Sequence, residues 1–147
     1  MRDRFFKHIA VIPARKNSKS LPFKNRFLFK HTSKFLKNNN LFDKIYVNSD
    51  DPHLKILAKK NGFEFFNRQK KLARDTTCIK KVFIDMNKKL NFLENTYIWL
   101  FYIPLVYKNK IDFKKAIKLV EQKRLKSICS FIPAKTHPMS CWQVKKN

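Results

Sequence analysis

The segment Ala14-Arg15-Lys16-Asn17-Ser18-Lys19-Ser20-Leu21-Pro22-Phe23-Lys24-Asn25 places four cations in the ten residues from Arg15 to Lys24. Successive backbone amides and a serine hydroxyl in such a loop can cradle the oxygens of a triphosphate. The cations would offset the phosphate charge and stabilise a pyrophosphate leaving group. On spacing alone, the same residues also read as a solvated basic loop. The other reactive side chains form no comparable group. Cys78, Cys129 and Cys141 show neither a CxxC pair nor metal spacing, and His8, His31, His53 and His137 are scattered. No zinc site is legible. An odd cysteine count without a framework fits a reducing cytosol, so a cytoplasmic protein is expected.

The chain has 147 residues, with 34 Lys plus Arg against 10 Asp plus Glu, a net charge of +24. Its single glycine, Gly62, excludes a glycine-rich Walker loop and the dinucleotide fingerprint, each of which needs at least two. Apolar residues make up 44% and include 15 Phe, enough for a real core and against wholesale disorder. The charge has two readings. One is an anionic partner: nucleic acid, an anionic membrane or a phosphate-bearing substrate. The other is drift, because Lys, Asn, Phe and Ile share A/T-rich codons. Lys outnumbers Arg 27 to 7 and is spread along the chain, whereas bidentate phosphate recognition favours Arg. Drift is therefore favoured, and a nucleic-acid partner is not expected. The N-terminal MRDRFFKHIAVIPARK has an apolar run of only five residues, too short for a signal-peptide core. No stretch approaches a membrane span, so no membrane partner is expected.

The basic loop needs elements to position it. Ile9 to Pro13 is a short β-branched run that reads as a buried strand. Ala14 to Asn25 reads as loop, and residues 31–40 as a short helix ending in Asn38-Asn39-Asn40. Lys44 to Asn48 is a second strand. Asp51 caps the next helix with Pro52 at its first position, Leu54, Leu57 and Ala58 fall at helical spacing, and Gly62 stops it. Phe63 to Phe66 is a short strand. Asp75 or Thr76 then caps a helix with the stripe Val82, Phe83, Met86 and Leu90. Thr96 to Ile103 is a strongly apolar strand, and its aromatics Tyr97, Trp99, Phe101 and Tyr102 read as a central strand rather than a stacking platform for bases. A helix with Phe113, Ala116, Ile117 and Val120 on one face follows Asp112, and Ser127 to Ile132 is a last strand. Strand, loop and helix repeat in order, so an α/β domain with a mostly parallel sheet is expected. Ligands of such sheets bind beyond the carboxyl ends of the strands, which is where the basic loop falls.

IAVIPARKNSKSLPFKN resembles the opening motif of the acylneuraminate cytidylyltransferases, the CMP-sialic acid synthetases, roughly IAxIxARxxSKxLPxKN. Further matches follow in order. Leu41 to Asp51 is similar to the family's FDxIxVSTDD. Arg68 with Leu72-Ala73-Arg74-Asp75-Thr76-Thr77 is similar to RPxxLAxDxT. Ile111 to Phe131 follows the family's helix and strand, and His137-Pro138 matches an HP pair. The resemblance spans nearly the whole chain. Related Kdo cytidylyltransferases carry KP where this chain has Lys24-Asn25, which favours the sialic-acid-like branch, including relatives that activate pseudaminic or legionaminic acid.

The resemblance implies a Rossmann-like three-layer nucleotide-diphospho-sugar transferase fold. It implies transfer of CMP from CTP to a nonulosonic acid sugar, whose anomeric hydroxyl attacks the α-phosphate in line while pyrophosphate leaves. Positioning and charge neutralisation would do most of that work. Arg15, Ser18, Lys19 and Lys24 fall in the family's triphosphate loop, with Arg15 and Lys24 the candidate catalytic cations. Asn25 and Arg68 match nucleotide positions. Mg²⁺ would bridge the phosphates.

The departures bear on activity. The family's LLQPTSPLR aligns with Ile98 to Val106, so its Gln falls on Leu100 and its Arg on Val106, neither of which can make those hydrogen bonds. Cys78 stands where the family has a Ser near the base, and the chain is shorter than the family between Asn25 and His31. Residues 1–147 are expected to form one partial cytidylyltransferase domain, incomplete at its C-terminal side. The family's dimerisation region and its acidic DxD-type metal motif have no counterpart, so metal ligands are not assigned and the homodimer the family implies is in doubt. Weak or absent activity is expected. The alternatives are an inactive CTP-binding remnant, alone or completed by a partner chain, and a basic nucleic-acid-binding protein, which charge favours but no motif does. Asp50 and Asp51 read as capping and loop residues, His31-Thr32 as packing at a helix start, and His137 as a turn residue. The Lys-Lys pairs read as solvated faces.

Overall fold

The computed structural model describes residues 5–16 and 23–130. Strands β1 (Lys7–Pro13), β2 (Lys44–Ser49), β3 (Glu64–Asn67) and β4 (Thr96–Leu100) form one parallel sheet in the order β3-β2-β1-β4. Parallel neighbours need long crossovers. Helices α1 (Lys24–Asn39), α2 (Pro52–Lys60) and α3 (Ile79–Leu90) provide them, and α4 (Lys110–Lys123) follows β4. The β1 run is apolar because both its edges and both its faces are covered: Ile9 pairs with Lys44 on one side and Ile98 on the other, and His8 to Ile12 are all buried.

The two faces of the sheet differ. On one, Ile9, Val11, Phe66 and the α3 residue Met86 form a cluster, bordered by Tyr46, Phe83, Leu90 and Phe92. On the other, Trp99, Phe101, Phe42, Phe113 and the α1 residue Phe35 meet as rings, Phe101 and Phe113 stacking at 5.0 Å between centroids. Fully burying one such apolar side chain contributes roughly 1.5–3 kcal/mol. Helices on both faces of a parallel sheet make the Rossmann-like α/β architecture that the sequence implies.

The α2 boundaries follow their sequence signals. Asp51 Oδ1 accepts from His53 N at 3.0 Å, and Pro52 opens the helix. Gly62, at φ 74°, ends it, with Gly62 N donating to Lys59 O and Phe63 N to Ala58 O, both at 3.0 Å.

The chain divides into two units, Met1–Lys114 and Lys115–Asn147. The first holds the four described strands. In the described part of the second, Ile117 and Val120 of α4 are buried, and Leu125 N donates to Val120 O after Arg124 turns at φ 47°. Among the described residues no helix is long and apolar enough to cross a membrane.

Several expectations need correction. α1 begins at Lys24, not at residue 31, because Phe23 takes a left-handed φ of 56° and its carbonyl accepts from Arg26 N at 2.8 Å. Lys24 and Asn25 are therefore helical rather than loop residues. His31 lies exposed in mid-helix, while Thr32 is buried. The N-cap of α3 is Cys78, since Asp75 is drawn into an ion pair with Arg15 and residues up to Thr77 turn back on Arg74 O. A 3₁₀ turn at Lys70–Leu72 precedes it. β4 ends at Leu100, before the turn at Ile103-Pro104, and among the described strands it is an edge, not a centre, with Ile98 and Leu100 each 38% exposed. Asp112 lies inside the first turn of α4. Residues 127–130 form no strand, and the rest of that expected strand lies outside the described residues. The Lys-Lys pairs from Lys59-Lys60 through Lys114-Lys115 are exposed, as solvated faces should be.

Candidate functional site

The site builds from the carboxyl ends of β1, β2 and β3. The strand order reverses at β1, whose neighbours are β2 on one side and β4 on the other, so its exit loop lies at the switch point of the sheet. Ala14 N donates to Asn48 O at 3.0 Å and carries the β1–β2 pairing one residue further. Beyond it stands Arg15, half-buried and ion-paired with Asp75. Lys16 N donates to Asp50 Oδ1 at 2.8 Å, which ties the loop to the end of β2. Ser18 and Lys19 lie outside the described residues.

Where the chain re-enters as α1, Asn25 Nδ2 donates to Arg15 O at 2.8 Å. That bond closes the basic loop at its base and sets Lys24, half-buried, in the first turn of α1. This helix end has no side-chain cap and no acid in its first turn. The N–H groups of a first helical turn favour a nearby anion.

Arg68 follows β3 and is 7% exposed. Arg68 N donates to Ser49 O at 2.9 Å; its Nε donates to Asn48 Oδ1 at 2.5 Å and its Nη2 to Asn48 O at 3.0 Å. Burial lowers its pKa from the ordinary arginine value; the charge of Asp50 opposes this and that of Arg15 adds to it. The guanidinium stays charged. Asn48 O accepts from both Ala14 N and Arg68 Nη2, which sets Arg68 beside the start of the basic loop. The Arg68 bond fixes the orientation of the Asn48 amide, which leaves Asn48 Nδ2 buried with no hydrogen-bond acceptor.

The structure thus brings together Arg15, Asn25 and Arg68, with Lys24 beside Asn25. Sequence reasoning assigned no role to Asn48, which holds Arg68, and read Asp75 as a cap. Asp75 lies in the quoted Leu72-to-Thr77 match, so its presence there was visible, but its partner 60 residues away was not. Leu100 and Val106 are partly exposed apolar residues. The nearby carboxylates are engaged: Asp50 by Lys16 N, Asp51 by Arg26 and His53 N, Asp75 by Arg15. No group of three or more His, Cys, Asp or Glu comes together among the described residues. This donor set does not fit a Mg²⁺ held by these residues alone.

The fold is similar to that of a CMP:2-keto-3-deoxy-manno-octonic acid synthetase complexed with CTP, with a TM-score of 0.64 and 17% identity over 80% of this chain and 48% of that one. It is also similar to the bifunctional IspDF from Campylobacter jejuni, with a TM-score of 0.54 and 20% identity over 79% of this chain and 31% of that one. The chain spans about half the length of the first and a third of the second. The family model described as cytidylyltransferase matches residues 9–124, well over half of the sequence and including every described residue of the site. The chain belongs to the cytidylyltransferase family.

Proposed function

We propose that this chain binds CTP at the carboxyl ends of β1, β2 and β3. With the remainder of a complete site, it would transfer CMP to a sialic-acid-like nonulosonic acid. The observation that carries this reading is the convergence of Arg15, Asn25 and Arg68 beside the start of α1, which bears Lys24. Arg15 and Lys24, with Ser18 and Lys19 of the same loop, would hold the triphosphate, and Asn25 and Arg68 the nucleotide. The sugar's anomeric oxygen would form a bond to the α-phosphorus as the bond to the β-phosphate bridging oxygen breaks. The hydroxyl proton would pass to solvent and pyrophosphate would leave. Fixed cations would stabilise the charge that builds on the leaving group. Any Mg²⁺ would arrive on the triphosphate as part of the substrate. The sialic-acid branch is supported by Lys24-Asn25. A cytoplasmic location belongs to the same reading.

Titration calorimetry of the purified chain with CTP tests it. Binding should be weakened about tenfold or more by Arg15→Ala or Lys24→Ala, the loss typical of one charged hydrogen bond. No CTP binding by the unsubstituted chain overturns the reading. A CTP-binding remnant without turnover is the second reading, favoured by Leu100 and Val106. CTP binding without CMP-sugar formation from sialic, legionaminic or pseudaminic acid would select it.

A further inference from the structure

We propose that Arg26 and Asp51 are a positioning pair that aims the first turn of α1 at the triphosphate, an inference that rests on the CTP-binding reading above. Arg26 Nε donates to Asp51 Oδ2 at 2.7 Å and Nη2 to Asp51 Oδ1 at 2.8 Å, a two-pronged fork. Asp51 is 1% exposed. The same carboxylate caps α2 through His53 N, and Asp51 N donates to Ser49 Oγ at 2.9 Å at the end of β2. One side chain therefore locks the start of α1 to the corner between β2 and α2.

The start of α1 needs such a lock. It has no side-chain cap, and it follows Phe23, whose left-handed backbone is an uncommon state for a bulky residue. The Arg26 guanidinium lies 4.3 Å from the centroid of the Phe23 ring, so it covers that turn as well as bonding Asp51. Arg26 directly follows Lys24 and Asn25, and Asn25 in turn holds Arg15 O. A rotation of the first turn would move all three. With Nε and Nη2 committed to Asp51, Arg26 acts through its neighbours. Burial would push the Asp51 carboxyl up, yet the bonds from Arg26 and His53 N, with the Arg26 and His53 charges, outweigh it and hold the carboxyl below its ordinary value.

The test is CTP affinity by calorimetry, at a temperature where circular dichroism shows every variant folded. A role confined to stability leaves the affinity of folded protein unchanged. Arg26→Met and Asp51→Asn should each weaken CTP about tenfold, and the double variant no further, since residues of one ion-pair network couple strongly. Arg26→Lys should recover part of the loss. Asn at position 51 can still cap α2, so Asp51→Asn and Arg26→Lys decide the matter should Arg26→Met fail to fold. Unaltered affinity in the folded variants, or fully additive losses, overturns the inference alone. No CTP binding by the unsubstituted chain overturns the functional reading and this inference with it.

Discussion

Two regions of the first unit bury side chains in opposite ways. At the carboxyl ends of β2 and β3, the buried groups are Asn48, Ser49, Asp51 and Arg68, joined by short bonds to named atoms. On the aromatic face, Phe101 touches Phe35, Phe42 and Phe113, and Phe42 also touches Trp99. Directional bonds fix where a group points, and each has few substitutes. Ring contacts are individually weak and numerous, so they set stability more than aim. The polar corner should therefore govern ligand placement and the rings should govern resistance to unfolding.

That contrast can be broken by substitution. Phe101→Ala should cost about 3–5 kcal/mol in urea unfolding, because a fully buried ring leaves a cavity. The CTP affinity of the folded fraction should not change. A large affinity loss would mean that the aromatic face aims the site after all. Asp51→Asn should cost less, about 1–3 kcal/mol at neutral pH. Its folded carboxyl sits below the ordinary value of 3.8, so its stabilisation is complete above 3.8 and is lost as pH falls through the lower folded value. Unfolding free energy measured against pH should then show a shallower acid limb in the variant. An unchanged limb would remove Asp51 from the acid response. The smallest effect, about 1 kcal/mol, is expected for Trp99→Phe, which keeps a ring but deletes the Trp99 Nε1 bond to His8 Nδ1 at 3.0 Å. A loss as large as that of Phe101→Ala would show that the aromatic face also depends on a directional bond.

What the sequence disclosed follows the range of each interaction. β1, β2 and α2 were legible because their signals are local: a β-branched run, an Asp-Pro start and a glycine stop. The start of α1 was not, because Pro22 and the basic residues read as loop while the deciding turn is an unusual conformation of Phe23. The site residues Arg15, Lys24, Asn25 and Arg68 came from ordered motif matches. Their supports did not, because Arg26 meets Asp51 across 25 positions and Arg68 meets Asn48 across 20. The apolar run around Trp99 showed a strand but not its place in the sheet, which depends on pairing partners distant in the chain.

That pairing sets a timetable for synthesis. β1 is made before the other described strands, yet Thr96, the β4 partner of Lys7, leaves the ribosome 89 residues later. At the usual elongation speed one flank of β1 waits roughly 4 to 18 seconds for its neighbour. During that wait an apolar strand with open backbone groups can pair with the wrong chain. Until β4 emerges, the nascent protein thus holds one flank of its most buried strand open, an interval in which chaperone cover would guard it.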